Sequence, residues 1–330
     1  MDKVTAKSWV KYVLIFFISV TFSIFSFNYI IDPYGKQNIF CSFKYKPVLN
    51  ERGKKYDYIF YKNHIDDYDS LILGSSRVMQ IIPSNSPLTK SFYNFSVHVA
   101  NNAEKLFILK EWLKRRKLKT VYLGIDYYNF HKDKGPLNIN YSKFQNYDSG
   151  NYLSISTTKL SYKSLKNQFQ DTPQTFFNKD GSINYYNNDK LIKNNKYDFS
   201  KQRFEEASKS FVQNNLINDP FIIEEKVFTI LREIKKLSEK HNFKLYVFIT
   251  PMQHEVLKQL QKYPDILKKY RYIDKKLVKI FTKVYNFSVE NRYNNNRRNF
   301  YDPFHYRSLL GDKIVLKLNN KMIDYGKILK

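Results

Sequence analysis

Twenty consecutive residues, Tyr12 to Ile31 (YVLIFFISVTFSIFSFNYII), carry no charged side chain. As a helix such a run is about 30 Å long, the thickness of a bilayer's hydrocarbon core. Lys3, Lys7 and Lys11 precede it and Asp32 follows. The positive-inside bias therefore puts the N-terminus in the cytoplasm and the rest of the chain outside. Trp9, Tyr12, Tyr29 and Tyr34 lie near the two ends, where interfacial aromatics belong. A cleaved signal peptide is the rival reading. It asks for a shorter apolar core and a small-x-small cleavage site, and Ser23-Ile24-Phe25-Ser26 is a poor one. The expectation is one uncleaved anchor in the cytoplasmic (inner) membrane, with residues 1–34 as cytoplasmic tip and span. The main domain would then be periplasmic or at the cell surface.

Asp32-Pro33-Tyr34-Gly35 stops the helix with strong breakers. Residues 35–67 are mixed and polar, which predicts a juxtamembrane connection. From 68 onward strand and helix alternate. Strands are expected at Ser70 to Leu73, Ser91 to Val97, Thr120 to Ile125, Lys244 to Ile249 and Val284 to Val289. Helices are expected at Asn101 to Lys117, Arg203 to Asn214, Asp219 to Lys240, Ile266 to Phe281 and Arg307 to Leu318. Strands separated by helices imply an α/β domain over 68–330, a parallel sheet flanked by helices. Residues 131–200 break the rhythm. They are rich in Asn, Tyr, Lys and Ser, and so long a stretch in a compact domain reads as an insertion, lid or binding subdomain. Its tyrosines would stack on sugar rings or simply pack the insertion.

The chain has 56 basic against 30 acidic side chains, a formal charge of +26. A polyanion is the obvious partner, whether nucleic acid, acidic headgroups or an anionic glycan. The lysines are spread rather than clustered, which is also how an ordinary solvated surface looks. No basic groove with interleaved aromatics is visible, and an outside location argues against nucleic acid. The one cysteine, Cys41, excludes an intrachain disulfide. No His or Cys cluster has metal-ligand spacing, and no G-x-x-x-x-G-K occurs, so neither metal nor cofactor is expected.

Chemistry is concentrated at two places. Ser70 to Leu73 runs into Gly74-Ser75-Ser76-Arg77, a strand breaking into a sharp turn. A serine there projects from the carboxyl edge of a sheet, where open α/β folds bind ligands. Far along the chain, Tyr301-Asp302-Pro303-Phe304-His305 offers a carboxylate and an imidazole three residues apart. A serine becomes a nucleophile when a base takes its proton and a carboxylate holds that base's tautomer. Alternatively, His305 only packs or caps the closing helix. His98 and His254 also follow strands, and either approach the site or are incidental to it.

Gly74-Ser75-Ser76 after the first strand, with Asp302-x-x-His305 before the last helix, resembles the SGNH (GDSL-like) hydrolase superfamily. The likeness is to its membrane-anchored bacterial branch, which includes the alginate O-acetyltransferase-like and teichoic acid D-alanylation proteins. It spans about residues 68–320, leaving 131–200 unaccounted for. It implies a flavodoxin-like sheet with Ser76 as nucleophile, Asp302 as orienting acid and His305 as base. Ser75, where many members carry aspartate, is the other serine in reach. The family's oxyanion hole uses the nucleophile's N–H, a glycine after the second strand and an asparagine after the third. Here the second block, Asn94 to Asn101, has no glycine, and the third reads Gly124-Ile125-Asp126. Ser96, Asn101, Asn129 or backbone amides would have to serve instead, since an ionised Asp126 repels an oxyanion. Arg77 would either bind an acidic sugar or brace the turn against Asp69 or Asp126.

The resemblance implies an extracytoplasmic O-acyltransferase or esterase, acetyl being the expected group, that acts on a cell-surface polysaccharide through an acyl-enzyme. A multi-span membrane O-acyltransferase would supply the acyl group. The alternative is a catalytically inactive scaffold or glycan-binding protein in envelope polysaccharide assembly.

Overall fold

The computed structural model describes residues 6–33, 51–132, 144, 151–168 and 177–330. They fall into two compact units, each described by itself. One draws on segments within Met1–Lys54, Ser142–Phe176 and Asn184–Asn187, the other on Lys55–Tyr141, Phe177–Ile183 and Asn188–Lys330.

The first unit contains α1, Ala6–Ile31, a 26-residue helix long and apolar enough to cross a membrane. Only 11% of its most apolar window is buried within the protein. A soluble core helix would hide that surface from water, so the exposure favours lipid as its surroundings.

The second unit begins at Lys55, near the end of α2 (Glu51–Tyr56) and well inside the expected connection. α2 runs into a π-helical turn, Asp57–Tyr61, and a 3₁₀ turn, His64–Asp67. Tyr56, Ile59, Phe60 and Ile65 are core residues, so the described half of 35–67 is folded structure rather than linker. Its polar composition is misleading because one face alone is buried. Even Lys55 is inside, donating to the carbonyls of Asn94 (3.0 Å) and Ser96 (2.5 Å).

The sheet holds β1 (Ser70–Leu73), β2 (Phe92–Asn94), β3 (Thr120–Ile125), β4 (Lys244–Ile249), β5 (Val284–Asn286) and β6 (Lys327–Leu329). Their order is β2-β1-β3-β4-β5-β6, parallel except for β6. The protein is thus α/β with a mostly parallel sheet. Right-handed crossovers put α3 (Asn102–Leu113), α7 (Lys226–Lys240) and α9 (Pro264–Phe281) on one face. The other face carries Ile72, Tyr122, Phe248 and Tyr285, packed with Leu310, Ile314 and Leu318 of α11 (Ser308–Leu318).

The remaining helices complete the order: α4 (Ile155–Gln168), α5 (Tyr186–Lys193), α6 (Lys201–Val212), α8 (His254–Leu260) and α10 (Arg292–Asn295). Asp219-Pro220 does not start a helix. α7 begins at Lys226 because Phe221 is committed to the core and Ile223 pairs with His131. Nor is 131–200 one insertion. Its described part includes α4 in the first unit, whereas Phe177–Ile183 belongs to the second, where Asp180 accepts through its carbonyl from Asn94 N–H (2.7 Å). The antiparallel β6 and the short α8 have no counterpart among the expected elements.

Candidate active site

β1 and β2 flank each other while the chain beyond β3 runs the opposite way, so the strand order switches direction between β1 and β3. In open α/β sheets, ligands bind at the carboxyl ends of the strands beside such a switch. After Leu73 the chain turns through Gly74-Ser75-Ser76-Arg77 into a 3₁₀ turn, Val78–Gln80. The fully buried Val78 side chain fills the space that a Cβ on Gly74 or on Gly124 of β3 would need. Two glycines on neighbouring strands therefore let the elbow fold down tightly. Asn94, at the end of β2, clamps it. Its Nδ2 donates to the carbonyls of Val78 (3.0 Å) and Ile81 (2.8 Å), and its Oδ1 accepts from Ser96 N–H (3.0 Å).

Ser76 Oγ lies 2.9 Å from His305 Nε2, across 229 residues of chain. His305 Nδ1 is 2.8 Å from Asp302 Oδ2. Asp302 Oδ1 accepts from the amides of Phe304 (2.8 Å) and His305 (2.9 Å), which sets the loop around the carboxylate. Burial by itself would raise the Asp302 pKa. The His305 hydrogen bond and charge, with the two amides, hold it below the ordinary value instead. An ionised carboxylate on Nδ1 leaves Nε2 to accept the Ser76 proton.

α11 follows this loop directly, and Gly311 fixes how near it comes. A Cβ there would lie 2.6 Å from the Gln80 carbonyl oxygen, just past the elbow. Gly311→Ala is expected to push α11 outward and lengthen the Ser76–His305 contact. Misplacement of about 1 Å costs about 10²-fold in rate, whereas overpacking costs only about 1–3 kcal/mol of stability. Serine-probe labelling and thermal melting, compared on one preparation, check that split.

Ser75 faces inward. Its Oγ accepts from Arg77 N–H (3.3 Å) and also hydrogen-bonds Asp126. Ser76, not Ser75, meets the imidazole. Arg77 is buried, ion-pairs with Asp126 at 3.4 Å and lies over the Phe304 ring at 5.3 Å. That is the bracing role rather than an open sugar-binding one. Asp126 is itself buried and accepts from the Thr250 hydroxyl after β4. Burial pushes its pKa up, but Arg77 and then Lys105, with the Ser75 and Thr250 bonds, more than offset this and hold the carboxyl below its ordinary value. Burial drives the Lys105 ammonium down to about 8 against the pull of Asp126 and Glu104. Lys105 Nζ donates to Gly124 O (3.0 Å) and Asn102 Oδ1 (3.1 Å).

Of the other side chains selected from sequence, Asn101 and Asn129 are engaged nearby, whereas the buried Ser96 hydroxyl has no hydrogen-bond partner among the described residues. Asn101 Oδ1 caps α3 by accepting from Glu104 N–H (2.8 Å). Asn129 Nδ2 donates to Ala100 O (2.7 Å). Ser96 is buried, and its backbone is tied to Asn94 and Lys55. His254 pairs with Glu290 at 2.9 Å, and His98 is exposed. Among the elbow amides, Arg77 N–H goes to Ser75 Oγ and Val78 N–H to Ser75 O (3.0 Å). No acceptor among the described residues takes the Ser76 N–H.

The loop after β2 lacks a glycine but not a glycine's conformation, since Val99 has φ +51°. A β-branched residue in the left-handed region is strained. Val99 is 60% exposed, so its side chain contributes little packing in return. Val99→Gly should raise stability by up to about 1 kcal/mol, the strain relieved less glycine's unfolded-state entropy; a denaturant titration checks it.

Sequence reasoning did not single out Asn94, Lys105, Thr250 or Gly311. A polar residue ending a buried strand was the available signal for Asn94 and Thr250. No family model and no curated protein matches this chain.

Proposed function

We propose that the protein is a membrane-anchored, SGNH-like serine acyltransferase or esterase acting on a cell-surface polysaccharide. The observation that carries this reading is the Ser76–His305–Asp302 relay at the carboxyl edge of a sheet whose β2-β1-β3-β4-β5 order is that of flavodoxin-like folds. Ser76 Oγ attacks the acyl carbonyl as His305 Nε2 takes its proton. The protonated imidazole, held by Asp302, returns that proton to the departing group and leaves an acyl-serine. A sugar hydroxyl or water, deprotonated by the same nitrogen, then takes the acyl group. The Ser76 N–H faces the developing oxyanion, while the amides of Phe95, Ser96, Val97, Ala100 and Asn101 in the loop after β2 are already spent inside the protein.

Acetyl is the group we assign, with the extracytoplasmic side as the place and a multi-span membrane O-acyltransferase as the donor. Lys3, Lys7 and Lys11 before α1 support that orientation. Cells carrying Ser76→Ala should lose alkali-labile acetate from their surface polysaccharide; unchanged acetate would overturn the reading.

One observation favours a second reading, an inactive glycan-binding scaffold. Asn101 and Asn129 spend side-chain groups on capping and bracing, and position 126 is a carboxylate. That scaffold would bind polysaccharide while Ser76 stayed inert to a fluorophosphonate.

A further inference from the structure

Within the first unit, α4 and the turn before it are fixed in depth by α1. Asn28 lies three residues inside the end of the uncharged run, about 4.5 Å from the level of Ile31. It is fully buried, and its Nδ2 donates to Tyr152 O (2.6 Å) and Thr158 Oγ1 (3.0 Å). A carboxamide at that depth is costly in hydrocarbon unless its partners accompany it. Residues 152–158 therefore sit level with the last turn of α1. Tyr152 agrees. Its hydroxyl donates to Asp32 Oδ1 (3.2 Å), and its ring packs on Phe25 (6.2 Å) and Tyr29 (5.9 Å). Aromatic rings gather at that level of a bilayer.

α4 is two-sided. Thr157, Ser161 and Ser164 are fully buried. Ile155, Lys159, Tyr162, Lys163 and Lys166 are exposed at i, i+4, i+7, i+8 and i+11, one stripe along the helix. Ile155 is 75% exposed, Tyr162 63%, and Leu153 in the turn leading in 49%. Large apolar side chains standing clear of the protein among lysines are the pattern of a helix that lies in a membrane interface.

We propose that residues 152–166 are a second membrane contact, seated in the headgroup layer beside α1. Leu153, Ile155 and Tyr162 reach the acyl boundary, and Lys159, Lys163 and Lys166 meet anionic phospholipid headgroups. The inference rests on α1 spanning a bilayer and is independent of the serine chemistry.

Single cysteines at Phe17→Cys, Ile155→Cys and Tyr162→Cys, in a Cys41→Ser background, would carry an environment-sensitive fluorophore. The full chain is reconstituted in vesicles of phosphatidylglycerol and phosphatidylcholine, with quenchers either in water (iodide) or on the lipid chain near the carbonyls. Lipid quenching at 17, 155 and 162 is expected. Lipid quenching at 17 with iodide quenching at 155 and 162 would overturn the inference and leave the span intact. Shielding of 155 and 162 from both quenchers would mean a protein covers the stripe, which also overturns it. Iodide quenching at 17 would overturn the span itself. Replacing all phosphatidylglycerol by phosphatidylcholine should weaken quenching at 155 and 162 severalfold, since each lysine at an anionic surface is worth about a factor of five in partitioning. Equal quenching in both lipids would overturn the role of the lysines.

Discussion

Alanine at His305 is expected to slow fluorophosphonate labelling of Ser76 by about 10⁴- to 10⁶-fold, the range lost when a triad base is removed. Ser76→Ala should abolish labelling. The expectation follows from geometry. The Ser76 hydroxyl has one basic partner, His305 Nε2 at 2.9 Å, and no other group within the described residues could take its proton. Asp302→Asn is the graded test. Asparagine could still accept from the Phe304 and His305 amides but would offer no carboxylate to Nδ1, so the wrong tautomer forms and about 10⁴-fold is lost. The three residues act as one unit, so His305→Ala with Asp302→Asn should be little worse than His305→Ala alone. Labelling of His305→Ala within tenfold of the parent would leave Ser76 without its base and sink the triad.

Much of this site was legible in the sequence, and the reason is local. A strand ending in Gly74-Ser75-Ser76 and an Asp302-x-x-His305 loop each carry their chemistry in a few adjacent residues. The strands of the α/β domain were legible likewise, because buried parallel strands are continuous apolar runs. What stayed hidden depends on residues distant in sequence. Lys55 reads as solvated but lies beneath β2, held by two carbonyls. Asp219-Pro220 carries a good helix-start signal, yet tertiary pairing of Ile223 with His131 overrides it. Strand β6 is three residues long and mixed in polarity, so only its pairing with β5 reveals it. At Val99 the backbone takes a glycine's conformation without a glycine, which no residue-type pattern could show.

Position 126 gives the sharpest contrast between two ways of building the site. An asparagine there would supply an amide to an oxyanion. The aspartate instead sits beneath the elbow, paired with Arg77 and near Lys105, with hydrogen bonds from Ser75 and Thr250. If Ser76 is the nucleophile, Asp126→Asn should therefore lower activity rather than raise it, because Arg77, next to Ser76, loses its anchor. Asp126→Ala should be destabilised by about 3–5 kcal/mol, the cost of leaving buried cations unpaired. That corresponds to a melting temperature lower by roughly 6–20 °C. The pH dependence has a fixed sign. A carboxyl with a depressed folded pKa contributes its stability in full above its unfolded pKa of about 4. The contribution shrinks as pH falls below that value and is gone beneath the folded pKa. The gap between parent and Asp126→Asn should therefore be widest near neutral pH and close in acid. Lys105 supplies the internal check. In the parent, Lys105→Met removes a cation that Asp126 needs. In the Asp126→Asn background it removes a buried charge with less to balance it and should stabilise. A coupling of about 0.5–3 kcal/mol between the two substitutions is expected. Additive effects, or an Asp126→Asn variant more active than its parent, would mean that the carboxylate does not hold the elbow and that the missing amide had limited the reaction.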